Sequence, residues 1–184
     1  NGAGKTTLIK LLMRLYDSTG GEILYNGRNV TEFDPDKFRE HIGVVFQDYK
    51  IFAATVAENV LGREYSEEDE QTVLFALHAV SFDDKLKQLE KGIHSQLTTE
   101  FSTDGVGLSG GESQKIAIAR VFAQPFELVI MDEPSSALDP ISEYELNRSI
   151  LQYAENKTII FISHRLSTTR MADRIYMFAD GKVI

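Results

Sequence analysis

Short apolar runs rich in β-branched and aromatic side chains recur along this chain, at Ile23 to Tyr25, Val44 to Phe46, Leu128 to Met131, Thr158 to Ile162 and Ile175 to Phe178. Each is compact and bounded by polar residues or glycine, the pattern of a buried strand. Between them, apolar residues return at helical spacing. Ser66, with Asp69 three residues on, caps a run in which Val73, Leu77 and Val80 share one face. Ser109-Gly110-Gly111-Glu112 has the Ser-x-x-Glu form of a helix start, ahead of Ile116, Ala119, Phe122 and Ala123. Asp139-Pro140 opens another helix, whose stripe runs through Leu146, Ile150 and Tyr153. Strands alternating with helices predict an α/β fold with a mostly parallel sheet flanked by helices. The stretch from roughly 66 to 123 holds helical patterns and little strand pattern, which predicts a helical subdomain inserted into one unit spanning 1–184.

Composition narrows the function classes. The 184 residues carry 28 Asp plus Glu against 19 Lys plus Arg, a net charge of -9. Such a chain lacks the positive field that nucleic-acid binding relies on, so no nucleic-acid partner is expected. The absence of cysteine removes disulfides, thiolate catalysis and zinc ribbons together. Apolar runs such as Val73 to Leu77 fall far short of the ~20 residues of a membrane span. The opening Asn1-Gly2-Ala3-Gly4-Lys5 has neither an initiator Met nor a signal peptide, and reads as a piece of something longer.

That opening continues as Thr6-Thr7 and then Leu8-Ile9-Lys10-Leu11-Leu12, the back half of a Walker A loop. Gly2 and Gly4 let backbone N–H groups turn inward around phosphate oxygens without side-chain clash. The helix that follows presents its positive end to the same anion. Lys5 supplies a point charge for the β- and γ-phosphates, and the Thr6 hydroxyl a ligand for Mg²⁺. Asn1, Gly2, Ala3, Gly4, Lys5, Thr6 and Thr7 are therefore the expected phosphate-binding residues. A Gly-rich turn capping a helix is the bland alternative.

Leu128-Val129-Ile130-Met131-Asp132-Glu133 is an apolar strand that ends in two carboxylates, and Pro134 then stops it. A strand ending at the carboxyl edge of a parallel sheet delivers its last side chains to the crevice where phosphates bind. Asp132 can there hold Mg²⁺, and Glu133 can polarise an attacking water.

Leu108-Ser109-Gly110-Gly111-Glu112 resembles the signature motif of ATP-binding cassette proteins, about two dozen residues before Asp132. Ser136-Ala137-Leu138-Asp139 looks like that family's D-loop, Phe46-Gln47-Asp48 like its Q-loop, and Ile162-Ser163-His164-Arg165 like its switch-histidine loop. The resemblance runs in family order from Asn1 to His164. It implies a P-loop NTPase core and a nucleotide-binding domain that splits ATP with Mg²⁺. In it, Glu133, His164 and Gln47 are catalytic, and Thr6, Gln47 and Asp132 surround the metal. Ser109, Gly110 and Gly111 bind the ATP held by a second copy in a head-to-tail dimer.

Val44 to Phe52, Thr55 to Val60 and Ile162 to Thr168 look like the exporter branch. The resemblance thus implies partner transmembrane domains, a place on the cytoplasmic face of the membrane, and exposed Ile51 and Phe52 as a docking surface. Glu112 replaces the family's usual Gln, and Thr99 to Gly105 lacks the charged pair of the exporter cross-talk loop. The strand feeding the phosphate loop and the aromatic platform for adenine would lie upstream, so the 184 residues alone are expected to bind ATP weakly and turn over little. Two rival readings differ in class. One is a soluble cassette ATPase of translation or DNA repair, and the other is a regulatory module that binds nucleotide without splitting it.

Overall fold

The computed structural model describes residues 4–98, 105–155 and 157–184. In chain order the elements are α1 (Lys5–Leu12), β1 (Leu24–Tyr25), β2 (Arg28–Asn29), α2 (Pro35–Arg39), β3 (Ile42–Val45), α3 (Val56–Leu61), α4 (Glu70–Ala79) and α5 (Asp83–Gln88). They continue with α6 (Gly110–Phe122), β4 (Leu128–Asp132), α7 (Pro140–Tyr153), β5 (Thr158–Ile162), α8 (Leu166–Thr169), β6 (Phe178–Ala179) and β7 (Lys182–Val183).

The central sheet is parallel, in the order β3-β4-β5, with Val45 opposite Met131 and Asp132 opposite Ile162. Because side chains alternate along a strand, β4 feeds two cores. Leu128 and Ile130 point to one face, where Ile9 of α1, Phe38 of α2 and Ile42 of β3 meet them. Val129 and Met131 point to the other, where Val56 and Val60 of α3, Ile118 of α6 and Leu146 and Ile150 of α7 pack. Ile130, Val129 and Met131 are fully buried, each such side chain stabilising the fold by about 1.5–3 kcal/mol. This two-sided burial explains why β4 is an unbroken apolar run.

The helix starts follow local chemistry. The Ser109 hydroxyl accepts the Glu112 N–H at 3.2 Å, and the Glu112 carboxylate accepts the Ser109 N–H at 2.8 Å. Asp139 accepts from the N–H groups of Ile141 and Ser142, with Pro140 at the first helical position of α7. The Ser66–Asp69 cap is also present, but it closes a short 3₁₀ turn that leads into α4.

Several strand expectations need correction. Ile23 to Tyr25 yields a strand at Leu24–Tyr25, but it pairs antiparallel with β2 in a hairpin outside the parallel sheet. The run at Val44 to Phe46 is shifted to Ile42–Val45. Ile175 to Phe178 is not a strand of the sheet: only Phe178 pairs, with β7, while Ile175, Tyr176 and Met177 are exposed. Both hairpins turn on Asn26-Gly27 and Asp180-Gly181, whose φ values are all positive, as a tight two-residue turn requires.

Candidate active site

Lys5, Glu133 and His164 meet at the carboxyl ends of β4 and β5. The register sets Asp132 beside Ile162, and the Glu133 N–H donates to the Ile162 carbonyl at 2.9 Å. The residues after each strand therefore emerge side by side. The Lys5 ammonium reaches His164 Nε2 at 3.0 Å, and the same nitrogen lies 3.8 Å from Glu133 Oε1. The Glu133 side chain is 16% exposed and that of His164 68%, so the acid is held in the wall and the imidazole stands in the opening.

Asp132 is partly buried next to this group. Burial, followed by the Glu133 charge and that of Asp48, pushes its carboxyl above the ordinary range, while Lys5 and His164 pull the other way. Asp48 thus joins the site from the turn after β3. Gln47, its neighbour, is exposed at the end of β3. Thr6 and Thr7 are exposed in the first turn of α1, whose cap is Gly4 at φ 92°. A Cβ at Gly4 would lie 3.2 Å from Gly181 Cα, so strain and crowding both favour glycine there. Asn1, Gly2 and Ala3 lie outside the described residues.

Ser109, Gly110 and Gly111 stand apart from this cluster, at the start of α6. Among the described residues no hydrogen bond joins them to Lys5, Thr6 or His164. Instead the Tyr49 hydroxyl donates to the Gly110 carbonyl at 2.9 Å. A Cβ on Gly111 would lie 3.2 Å from the Ala137 carbonyl, so α6 sits close against the 136–138 turn. Glu112 is paired with Lys85 at 3.2 Å. Burial opposes its ionisation, but the Ser109 N–H and the Lys85 ammonium outweigh that and hold its carboxyl below the ordinary range. The acid in place of an amide therefore has its own cation. Thr99 to Asp104, most of the departing cross-talk segment, lies outside the described residues.

Sequence reasoning missed the polar residues behind these groups. Gln114 of α6 is buried and bonded to the main chain of Glu133 and Ala137. Glu143 of α7 accepts from Arg165 and, at 2.5 Å, from the Ser167 hydroxyl, tying α7 to the loop after His164. Asn59 and Arg120 anchor the segment from Lys50 to Thr55. The available signal was a polar residue on an otherwise apolar helix face, since a buried amide or acid needs partners.

The expected docking pair divides. Ile51 is half-buried, packed against the main core, which corrects its expected exposure. Phe52 stays 51% exposed, with the Arg120 guanidinium 4.7 Å from its ring centre. An open groove of about 360 Å³ runs past Phe46, Tyr49, Lys50, Phe52 and Arg120. His41 and His78 sit near Glu127 and Asp83, and His94 lies edge-on to Tyr65.

The family model described as ABC transporter matches residues 1–136. This chain belongs to the ABC transporter family. It is 39% identical over 184 residues to the β-(1→2)glucan export ATP-binding/permease protein NdvA of Rhizobium johnstonii, covering 100% of this chain and 30% of that protein. It is 38% identical to the ATP-dependent lipid A-core flippase of Paraburkholderia xenovorans, again over 100% of this chain and 30% of the relative. A solved structure of a bacterial Atm1-family ABC exporter with ATP bound superposes with a TM-score of 0.87 at 31% identity, covering 100% of this chain and 32% of that one. The chain thus spans about 30% of the length of the curated relatives it matches. The P-loop NTPase fold read from the sequence is the fold of this ABC domain, with its parallel sheet flanked by helices.

Proposed function

We propose that this ABC domain binds and hydrolyses ATP to power export through transmembrane domains. The observation that carries the reading is the meeting of Lys5, His164 and Glu133 at one sheet edge, with Asp132 and Asp48 beside them. Phosphoryl transfer to water depends on in-line positioning and charge neutralisation more than on covalent help. Gly4, Lys5, Thr6 and Thr7, with Asn1, Gly2 and Ala3, bind the phosphates; Glu133 accepts a proton from the attacking water and orients it; His164 and Gln47 steady the transferring group.

The donor set fits Mg²⁺. Asp132 is raised by burial and by the neighbouring charges of Glu133 and Asp48, and a divalent cation relieves that repulsion. Thr6, Gln47 and Asp132 would hold the ion, which when bound neutralises charge on the phosphate oxygens.

Ser109, Gly110 and Gly111, apart from this site in one copy, would complete it for a second, head-to-tail copy. In this reading the helices between about 66 and 123 form the helical subdomain, and the groove beside Phe52 receives the transmembrane partner at the cytoplasmic face. No helix among the described residues is long and apolar enough to cross a membrane. Relatives named for export favour this reading over a translation or repair cassette. Glu133 and His164 together argue against a binding-only module.

The test is Glu133→Gln in the full-length protein. ATP binding should persist within a few-fold, while steady-state hydrolysis falls at least a hundredfold, in the range general bases contribute. An unchanged rate removes Glu133 from the base role.

A further inference from the structure

Glu133 has φ 53°, a left-handed conformation that a glutamate holds only when its surroundings impose it. Three hydrogen bonds define its two peptide groups. Its N–H donates to Ile162 at 2.9 Å, and its carbonyl accepts both the Ser136 N–H at 3.1 Å and the Gln114 side-chain amide at 3.1 Å. The first two lie within the strand ends and the turn itself. The third arrives from α6, a different element.

Gln114 is 1% exposed and spends its whole amide on this turn. Its Nε2 also reaches Ser136 Oγ at 3.2 Å, and its Oε1 accepts the Ala137 N–H at 2.9 Å. The orientation is forced: a carbonyl can only accept and an N–H can only donate, so a flipped amide would face like to like at both ends. The same close seat of α6 on this turn is seen at Gly111. Ser136 is shared further, its carbonyl lying 3.5 Å from Arg165 Nη2 in the loop that carries His164.

We infer that Gln114 is a positioning residue for Glu133, fixing the left-handed peptide that aims the carboxylate toward His164. It touches no reacting atom and acts through Glu133. The inference rests on the hydrolytic reading of Glu133. It predicts that Gln114 matters for the rate of cleavage and not for nucleotide affinity, since its bonds end on the catalytic turn and not on the phosphate loop.

The experiment is a double-mutant cycle in the full-length transporter, read by single-turnover γ-phosphate cleavage and by Kd for a fluorescent ATP analogue. Gln114→Leu should lower the cleavage rate at least tenfold, with Kd within twofold of wild type. Gln114→Glu keeps the acceptor for Ala137 and loses the amide donor to the Glu133 carbonyl, so it should show the same loss if the leucine variant fails to fold. In a Glu133→Gln background, Gln114→Leu should lower the residual rate less than twofold, because residues acting as a unit are not additive. A rate within twofold of wild type overturns the inference. An equal fractional loss in both backgrounds also does so, since a general structural lesion multiplies. Should Glu133→Gln itself leave cleavage unchanged, the hydrolytic reading falls and takes this inference with it, an outcome separate from the other two.

Discussion

Replacing Asn59 by alanine should unpin Phe52. Asn59 is 0% exposed, its Oδ1 accepts the Phe52 N–H at 2.8 Å, and its Nδ2 donates to the carbonyls of Phe52 at 3.0 Å, Thr55 at 3.0 Å and Ala54 at 3.3 Å. The losses are unequal. Each carbonyl keeps a backbone donor: Ala54 N–H for Phe52, Leu97 N–H for Ala54, and the N–H of residue 59 itself for Thr55. Only the Phe52 N–H is left without its acceptor. At about 1 kcal/mol net for each of the stronger bonds, discounted because Phe52 is half open to water, the cost is about 2–3 kcal/mol. For a domain of this size that lowers Tm by about 5–10 °C. Urea unfolding should show an earlier midpoint at unchanged m, and hydrogen exchange should quicken at the Phe52 amide first. A stability change below about 0.5 kcal/mol, or unaltered exchange at Phe52, would refute the account.

Other expectations follow from the same geometry. Gly43→Ala in β3 puts a Cβ 2.4 Å from Phe126 Cδ2, so the ring must move at a cost of about 1–3 kcal/mol, and denaturation of the double variant with Phe126→Ala should show no added penalty from the new methyl. Asp132→Asn should raise Tm at pH 7 while abolishing hydrolysis. A carboxyl whose folded value lies above its unfolded one is penalised as pH rises through that interval, and the amide escapes the penalty. Glu143→Gln should cost about 1–2 kcal/mol at pH 7, discounted because Arg165 is 35% exposed. Burial opposes ionisation of Glu143, but the Ser167 hydroxyl and Arg165 guanidinium hold its carboxyl below the ordinary range. Its stabilisation is complete above the unfolded carboxyl value and is lost as pH falls through the lower folded one. Wild-type and variant melting curves should therefore converge on acidification, and a gap that widens would contradict the pairing.

Whatever depends on near neighbours in the chain was legible before any coordinates. The capping of α6 by Ser109 and Glu112, the start of α7 at Asp139-Pro140, and the apolar run of β4 ending in Asp132 are local patterns, set by backbone valence and side-chain periodicity. The turn pair Asp180-Gly181 is itself a local hairpin signal, whereas the strand expected over Ile175 to Phe178 rests on an apolar, β-rich run of which only Phe178 pairs. Apolarity records what a segment could bury and not whether a partner is there to bury it. Tertiary structure alone decided the rest. Pairing of β4 with β5 brings His164 beside Glu133, and the seat of α6 on the turn after β4 brings Gln114 to the Glu133 carbonyl. Likewise Arg165 reaches Glu143, and Asn59 reaches Phe52, only once the helices pack. A buried polar side chain announces that it needs partners; which ones it finds is fixed by the packing of elements far apart in the chain, and no local pattern encodes that.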